Sequence, residues 1–203
     1  HEMLRTKNYS LTDAFAHLRD HGSESYRPDN HFLMNHVCAH AGASPARQSS
    51  QTTASFVAHV TQDKETYWAT ATSSPCTSIF KPIWFGDHPL PTSFAGENLE
   101  AFHKDIFWWH HEELHRQILL DFQHRNTLVR QEFEVLENRW LKEAEDLDID
   151  KRAALTAEAF SLERDIADAL IAMLETESVE LKPHFPYQRF WKKQNALVNL
   201  NLQ

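Results

Sequence analysis

Glycine and cysteine are scarce in this chain of 203 residues, which contains 4 glycines and 2 cysteines. Two cysteines are too few for a disulfide-stapled secreted scaffold, so we expect reduced thiols and a cytoplasmic location. The sequence also has no uncharged apolar run as long as a membrane span, and its first five residues lack the pattern of a signal peptide. These absences predict no membrane partner.

Basic residues are also fewer than acidic ones: the chain has 20 Lys and Arg residues and 29 Asp and Glu residues, which gives a formal net charge of -9. A nucleic-acid-binding protein needs a clustered basic surface, so this balance predicts no nucleic-acid partner. Hydrophobic residues make up 41% of the chain and charged residues 24%, proportions typical of a packed globular protein rather than a disordered one.

The first half of the chain combines one helix with short strand-like segments. Ser10 and Asp13 form a capping-box pattern that predicts a helix start, and Gly22 predicts that the helix ends near residue 20. Pro82 cannot donate a ladder hydrogen bond, so its strand should lie at an edge or a bulge. Lys81 beside it is a weak candidate for a binding residue, and alternatively it only protects the edge from unwanted pairing. The predicted strands are 32–40, 52–60, 67–72 and 78–85, with a hairpin turn at 62–65.

The second half changes to a helical pattern. Residues 99–146 contain neither Pro nor Gly, and their apolar side chains recur mostly every three to five positions. This spacing predicts one long helix, with Asn98 as its N-cap. A second helix is predicted over 151–176, and the short connection between the two predicts an antiparallel helical hairpin. We expect the tail, 183–203, to pack back onto the body.

Several segments resemble secernins and the bacterial cysteine dipeptidases related to them. Residues 38–42 read CAHAG, residues 47–55 read RQSSQTTAS, and residues 73–82 read SSPCTSIFKP. Residues 108–116, WWHHEELHR, resemble the opening of the long C-terminal helix of that family, and 18–21, LRDH, also agree. The segments occur in the family's order, and the resemblance covers essentially the entire chain.

The resemblance implies an α+β fold and the chemistry of N-terminal-nucleophile (Ntn) hydrolases. Residues 1–97 would belong to the antiparallel sheets of an αββα Ntn-hydrolase sandwich, and residues 98–203 would form the long α-helical hairpin and its packing tail. In such proteins a cysteine at the mature N-terminus attacks the amide carbon, and its own α-amino group accepts the thiol proton. The implied activity is hydrolysis of a dipeptide or small amide, without a cofactor.

The chain departs from the family pattern at the nucleophile. Residue 1 is histidine, and no short leader precedes either Cys38 or Cys76. Trimming the chain to Cys38 would remove the well-capped first helix. We therefore expect no catalytic residue in this chain, whose reactive thiol would come from the N-terminal half of the same protein. The isolated chain should be inactive and should expose an apolar sheet face of the kind that binds a partner. Association of this face with a second copy of the chain is also open.

The hydroxyl-rich segment that follows residue 46 is the candidate substrate-binding region. A guanidinium such as that of Arg47 offers two parallel donors to a dipeptide carboxylate. Alternatively, the hydroxyl groups only cap the backbone of their own loop. The candidate residues are Arg47, Ser49, Ser50, Thr52 and Thr53.

Two further patterns leave alternatives open. His111, Glu112 and His115 spell HExxH, in which both histidines could bind zinc with the glutamate as general base. The same residues also suit a solvated or partner-facing helix start. Cys38 and His40 could contact one another as a reactive pair, whereas a lone strand cysteine is usually part of the core. The rivals to a dipeptidase are thus a non-enzymatic secernin-like structural or interaction protein and a zinc hydrolase.

Overall fold

The computed structural model describes residues 9–23, 25–45, 48–62, 64–86 and 100–202. These residues form five α-helices and one three-stranded antiparallel sheet, so the predicted α+β class is confirmed at that level. The strands are β1 (Phe56–Val60), β2 (Glu65–Ala69) and β3 (Lys81–Ile83). The helices are α1 (Leu11–Leu18), α2 (Phe107–Ile118), α3 (Phe122–Glu145), α4 (Arg152–Thr176) and α5 (Phe185–Leu197).

Helix α1 begins as its capping pattern predicts. The Ser10 hydroxyl accepts from the backbone N–H of Asp13 at 3.1 Å, and the Asp13 carboxylate accepts from the N–H of Ser10 at 2.8 Å. Phe15 then carries the apolar stripe into the core, where its ring stacks on that of Phe80 with centroids 4.1 Å apart. Gly22 lies beyond the helix end with φ of 72°, a conformation that glycine adopts without steric cost.

The sheet is a meander in the order β1–β2–β3, with both pairs antiparallel. Val60 lies opposite Glu65, so the predicted hairpin is confirmed, although each strand is shorter than its predicted segment. Strand β3 lies at an edge of the sheet that the described residues form. Pro82 lies opposite Trp68 there, at the position that its missing N–H allows.

The strand predicted over 32–40 is wrong, because this segment is irregular. Met34 has a left-handed backbone with φ of 50°, which breaks the alternation of a strand. The rings of Tyr26, His31 and His36 pack on one another instead, with centroids 4.7 to 5.1 Å apart. Within the described part of the chain no strand pairs with residues 32–40, so no backbone hydrogen bonds to a neighbouring strand keep this segment in an extended conformation.

The single helix predicted over 99–146 is interrupted. Helix α2 begins only at Phe107, and a turn of 3-10 helix, Leu119–Asp121, separates α2 from α3. The Asp121 carboxylate accepts hydrogen bonds from the backbone N–H groups of Glu180 and the next residue, at 2.8 and 3.0 Å. The break therefore places an acid where it anchors the chain that follows α4. This long-range contact is not contained in the local apolar pattern.

The other two helical predictions agree with the structure. Helix α4 matches the predicted helix over 151–176, and it contacts α3 across a short connection. The tail packs back through α5, in which Tyr187 and Trp191 are buried against the main hydrophobic cluster. None of the helices in the described ranges is both long and apolar enough to cross a membrane.

The main hydrophobic cluster draws residues from both halves of the chain. It includes Phe15 from α1, Trp68 from the sheet and Trp140 from α3. The domain boundary predicted after residue 97 and the N-cap predicted at Asn98 both lie outside the described residues. The division into 1–97 and 98–203 therefore stays a prediction.

Candidate functional site

Five short segments, 18–21, 38–42, 49–53, 73–82 and 108–116, lie beside one another in the fold, although they are scattered along the chain. The backbone N–H of Thr52 donates to the carbonyl of Ala39 at 2.9 Å, and the Thr52 hydroxyl accepts from the Ala39 N–H at 3.1 Å. The Ser74 hydroxyl donates to the same carbonyl at 3.4 Å, and the N–H of Cys38 donates to the carbonyl of Asp20 at 3.2 Å. The CAHAG segment is thus bound to three of the other segments.

Two histidines of α2 contact the hydroxyl-rich turn that follows residue 74. His115 Nδ1 lies 2.9 Å from the Thr77 hydroxyl, and His111 Nε2 lies 3.0 Å from the Ser78 hydroxyl. All four side chains are buried. Burial, together with the charges of neighbouring groups, lowers the pKa of His115 well below its usual value, so this ring is neutral in the fold.

Glu112, the acid of the HExxH pattern, is held by other partners. Its carboxylate accepts from Arg116 Nε at 2.8 Å, and Gln51 Nε2 lies 3.3 Å from both of its oxygens. The Arg116 guanidinium also donates a hydrogen bond from Nη1 to Asn195 Oδ1 of α5, at 2.9 Å. The acid and the two histidines of the pattern therefore contact different groups, and zinc binding by His111, Glu112 and His115 stays a prediction.

Lys81 is fully buried, so the interpretation of it as a protective edge lysine is wrong. Its ammonium donates to the carbonyls of Thr70 at 2.6 Å and Ile79 at 3.1 Å, and it forms an ion pair with the Glu163 carboxylate of α4. Burial lowers the pKa of Lys81. Burial would raise the pKa of Glu163, but the charge of Lys81 and the nearby His111 ring outweigh that effect and lower it.

The proposed substrate-binding residues have mixed surroundings. The Ser49 hydroxyl donates to the Gly42 carbonyl and accepts from the Gly42 N–H, and the Thr52 hydroxyl bonds the backbone as described above. These two hydroxyls therefore form hydrogen bonds with backbone groups, as expected if the hydroxyl groups of the segment only cap the loop backbone. Arg47 lies outside the described residues. The remaining candidates are exposed: Ser50 and Thr53.

A groove of about 580 Å³ borders this segment. Its walls come from the loop on one side and from the start of α5 on the other. The groove lies where a small peptide could reach Ser49, but the role of the five candidates in binding substrate stays a prediction. The lining residues are Gly42, Ala43, Ser44, Pro45, Gln48, Ser49, Pro186 and Phe190.

Two histidines and two cysteines also converge in the interior. His40 Nε2 lies 3.1 Å from His21 Nε2, 3.2 Å from Cys76 Sγ and 3.7 Å from Cys38 Sγ. The four potential ligand atoms all lie within 4.8 Å of one another. Both cysteines are free thiols, and every member of the cluster except the half-buried His21 is buried. We call these four residues the His/Cys cluster.

The sequence pattern predicts half of the His/Cys cluster. Cys38 and His40 contact one another as predicted, although residues 38–40 do not form the strand on which the prediction depends. The pattern does not predict His21 and Cys76, which come from the loop after α1 and from a 3-10 turn, Pro75–Thr77. Their separation in sequence matches no compact ligand motif. Only the short Cys-x-His pattern at 38–40 could have pointed to the site.

Aromatic rings and the two thiols shape the electrostatics of the cluster. The Tyr26 ring stacks on His21 with centroids 4.1 Å apart, and the Phe122 ring meets His40 edge-on at 5.1 Å. Burial raises the pKa of Cys76, and the adjacent Cys38 sulfur raises it further. Burial acts in the same direction on Cys38, but hydrogen bonds from Cys76 and the histidine rings outweigh it and lower the pKa of Cys38 well below its usual value.

The chain matches no family model, no curated protein and no solved structure.

Proposed function

We propose that this chain is the C-terminal portion of a secernin-like Ntn cysteine dipeptidase that hydrolyses small peptide or amide bonds. The observation that carries the proposal is the convergence of the motif segments on one another. Segments 18–21, 38–42, 49–53, 73–82 and 108–116 are joined by the hydrogen bonds described above. Function resides in sites built from particular residues, so a shared location supports a shared role for segments that are distant in sequence.

The density of buried ionisable groups supports the same proposal. Lys81, Glu163 and Glu112 are all fully buried beside the motif segments, and His111 and His115 lie among them. Burying charges costs free energy even when they are paired, so a core that only had to be stable would use apolar side chains here. The pKa values of Lys81, Glu163 and His115 are all lowered, and clusters of buried groups with shifted pKa values are typical of functional sites.

Under this proposal the nucleophile is supplied by the N-terminal half of the same protein. Cys38 and Cys76 are internal residues without a free α-amino group, and both are buried. Trimming the chain to Cys38 would remove α1, whose Phe15 packs in the core. The thiol of an N-terminal cysteine would attack the amide carbon, the amine would leave with a proton, and water would hydrolyse the acyl-enzyme. That chemistry needs no cofactor and suits the reducing cytoplasm.

The sheet offers a surface on which such a half could pack. Phe56 and Val60 of β1 and the nearby Phe85 are 51%, 62% and 61% exposed. The Phe85 ring lies near those of Tyr67 and Phe56, with centroids 4.6 and 6.4 Å apart, and Val60 lies on the same face of β1 as Phe56, four residues further along the strand. We call Phe56, Val60 and Phe85 the sheet-edge patch. An exposed apolar patch next to an edge strand is typical of a surface that another chain segment covers.

The test compares this chain, alone and joined to the segment that its gene encodes before residue 1, in hydrolysis of a panel of dipeptides. We expect the joined protein to release free amino acids and the chain alone to release none. Replacing the N-terminal cysteine of the mature joined protein by alanine should abolish release, while an exposed control variant, Val135→Lys, should retain it. Hydrolysis by the chain alone, or none by the joined protein, would contradict the proposal.

One observation favours the non-enzymatic alternative. Hydroxyl groups of the motif segments, including Ser49, Thr52, Ser74 and Thr77, are bonded to backbone carbonyl or N–H groups. Such hydroxyls can hold loops in shape without touching a substrate. A joined protein that has no N-terminal cysteine after maturation, or whose cysteine can be replaced without loss of its biological effect, would support this second candidate.

A further inference from the structure

The surroundings of His40 Nε2 are difficult to explain by hydrogen bonding alone. Each imidazole nitrogen carries either one proton or one lone pair, so it makes one conventional hydrogen bond. His40 Nε2 nevertheless has His21 Nε2 at 3.1 Å, Cys76 Sγ at 3.2 Å and Cys38 Sγ at 3.7 Å. Three neighbours compete for a single bond. A cation at the centre of the cluster would instead accept one lone pair from each of the four atoms.

We propose that the His/Cys cluster binds a zinc ion through the Nε2 atoms of His21 and His40 and the thiolates of Cys38 and Cys76. A tetrahedral site with Zn–N of about 2.05 Å and Zn–S of about 2.3 Å has edges of about 3.4 Å between nitrogens and about 3.6 Å between nitrogen and sulfur. The observed N–N distance of 3.1 Å and N–S distances of 3.2 and 3.7 Å agree with those edges within a few tenths of an ångström.

The charge and the ligand types favour zinc over other cations. The two thiolates offset the double positive charge and the two imidazoles are neutral, so the loaded site carries no net charge, which lowers the free-energy cost of burying it. Each thiol gives up its proton to solvent when the metal binds. Tetrahedral sites with two sulfur and two nitrogen ligands are typical of zinc, whereas calcium and magnesium prefer oxygen ligands.

Four protein ligands leave no position for water or substrate, which indicates a structural rather than a catalytic site. The ligands join three pieces of irregular chain: the loop after α1, residues 38–40 and the turn Pro75–Thr77. Residues 32–40 are not held by a strand ladder within the described part of the chain. A zinc ion would supply the cross-link that regular secondary structure supplies elsewhere.

The surroundings of the cluster suit a closed metal site. Tyr26 stacks on His21, and the Phe122 ring lies edge-on to both His21 and His40, at 5.9 and 5.1 Å between centroids. His115 stacks on the other ligand histidine, His40, at 5.4 Å. These rings fix the orientation of the two imidazoles, and three of the four ligands are buried away from water. The site uses none of the HExxH residues as ligands and does not depend on the proposed dipeptidase activity.

The first test measures the zinc content of the whole chain, expressed with Zn²⁺ and purified with its thiols reduced and without affinity tags that bind metal. We expect about one zinc ion per chain, as a closed four-ligand site requires. The variants Cys76→Ser and His40→Gln should lose most of the metal, while His59→Gln, on the exposed strand β1, should retain it. The variant His111→Gln should also retain it, which separates this site from the HExxH alternative.

The second test replaces zinc by Co²⁺ in the unmodified chain, so that it does not depend on a variant that fails to fold. We expect the visible bands of tetrahedral cobalt and the near-ultraviolet charge-transfer band of thiolate ligation. Removing the metal with a chelator should lower the melting temperature and expose both thiols to a thiol reagent. A reduced chain without metal, a cobalt spectrum without thiolate bands, or zinc content unchanged by Cys76→Ser would overturn the proposal.

Discussion

Arg19 and Glu137 form a bidentate ion pair that joins the end of α1 to α3. Arg19 Nη2 lies 2.6 Å from one carboxylate oxygen, and Nη1 lies 2.9 Å from the other. The same guanidinium donates to the carbonyls of Pro75 and Ser78 at 2.9 and 3.2 Å, while Glu137 accepts from the N–H of Phe80 at 2.8 Å. This pair therefore holds the SSPCTSIFKP segment between two helices.

The geometry at Arg19 predicts that a lysine cannot replace it. Lysine keeps the charge but cannot bind both carboxylate oxygens and two carbonyls at once. We expect Arg19→Lys to lower the free energy of unfolding by about 2 kcal/mol, the scale of a hydrogen bond to a charged group. The measurement is urea denaturation.

Arg139→Lys is the matched control, because Arg139 pairs with Glu143 and Glu158 on the surface. Exposed pairs contribute about 0–1 kcal/mol, so the loss there should be smaller. Equal losses in the two variants would show that the clamp at Arg19 adds nothing beyond an ordinary surface pair.

The Lys81–Glu163 pair predicts strong coupling between two residues that are far apart in sequence. Glu163→Gln leaves the Lys81 ammonium buried without its counter-charge, and we expect a loss of about 3–5 kcal/mol in the free energy of unfolding. The double variant Lys81→Met with Glu163→Gln removes both charges, so it should lose less than the sum of the losses in Lys81→Met and Glu163→Gln. Chemical denaturation of all four proteins measures this coupling, and additive losses would contradict it.

Local patterns in the sequence were sufficient wherever the structure depends on neighbouring residues. Ser10 and Asp13 determine the start of α1 through groups three positions apart, and Pro82 marks an edge strand by the donor that it lacks. The helix α4 follows from its own apolar spacing. Each of these features depends on a short-range rule, so no knowledge of the tertiary structure was needed.

Long-range partners decided the features that the sequence could not predict. The break before α3 depends on Asp121 holding the backbone at Glu180, and the irregular path of 32–40 depends on ring contacts that no periodicity encodes. In the same way, the Cys-x-His pattern predicts the contact between Cys38 and His40, but only the fold brings His21 and Cys76 to them. A candidate site built from separate loops is visible only once those loops have been placed.

The buried ring of His115 predicts a pH-dependent stability. Burial lowers the pKa of His115 well below that of the unfolded chain, which is about 6.5. Below that pH the unfolded state binds a proton that the folded state does not, so the free energy of unfolding falls as the pH decreases. The contribution is at most about 1.4 kcal/mol per pH unit, and it ends where the folded ring is protonated.

The variant His115→Asn isolates this contribution, because asparagine can still bond the Thr77 hydroxyl but does not titrate. Unfolding free energies measured from pH 7 to pH 5 should fall less steeply for the variant than for the unmodified chain. Both proteins should be compared in the same metal-loaded state. Parallel curves would mean that His115 is protonated in the fold as readily as in the unfolded chain.

Gly42 lies so close to α5 that a side chain has no room there. A Cβ added at Gly42 would lie 2.9 and 3.1 Å from two atoms of the buried Tyr187 ring. We expect Gly42→Ala to destabilise the chain by about 1–3 kcal/mol, the usual cost of overpacking. The adjacent variant Ala43→Ser, at a half-buried position beside the groove, should change stability by less than about 0.5 kcal/mol. Thermal unfolding measures both, and a neutral Gly42→Ala would contradict the tight contact.

The sheet-edge patch predicts that this chain, expressed alone, associates with itself. Phe56, Val60 and Phe85 are each more than half exposed, and apolar patches beside a strand edge favour pairing between copies. We expect Val60→Lys to shift the chain towards monomer in sedimentation velocity, because a charge on an edge strand opposes pairing. Its melting temperature should change little, since the 62% exposed Val60 contributes little to the core.

The matched control is Val135→Lys, which introduces the same charge at a residue that is 68% exposed on α3, outside the sheet-edge patch. This variant changes the net charge of the chain equally, so any difference from Val60→Lys reports on the position and not on charge repulsion in general. Association that survives Val60→Lys, or that Val135→Lys disrupts to the same degree, would rule out the sheet-edge patch as the contact. Association lost only in Val60→Lys would identify the patch as the surface through which copies of this chain associate.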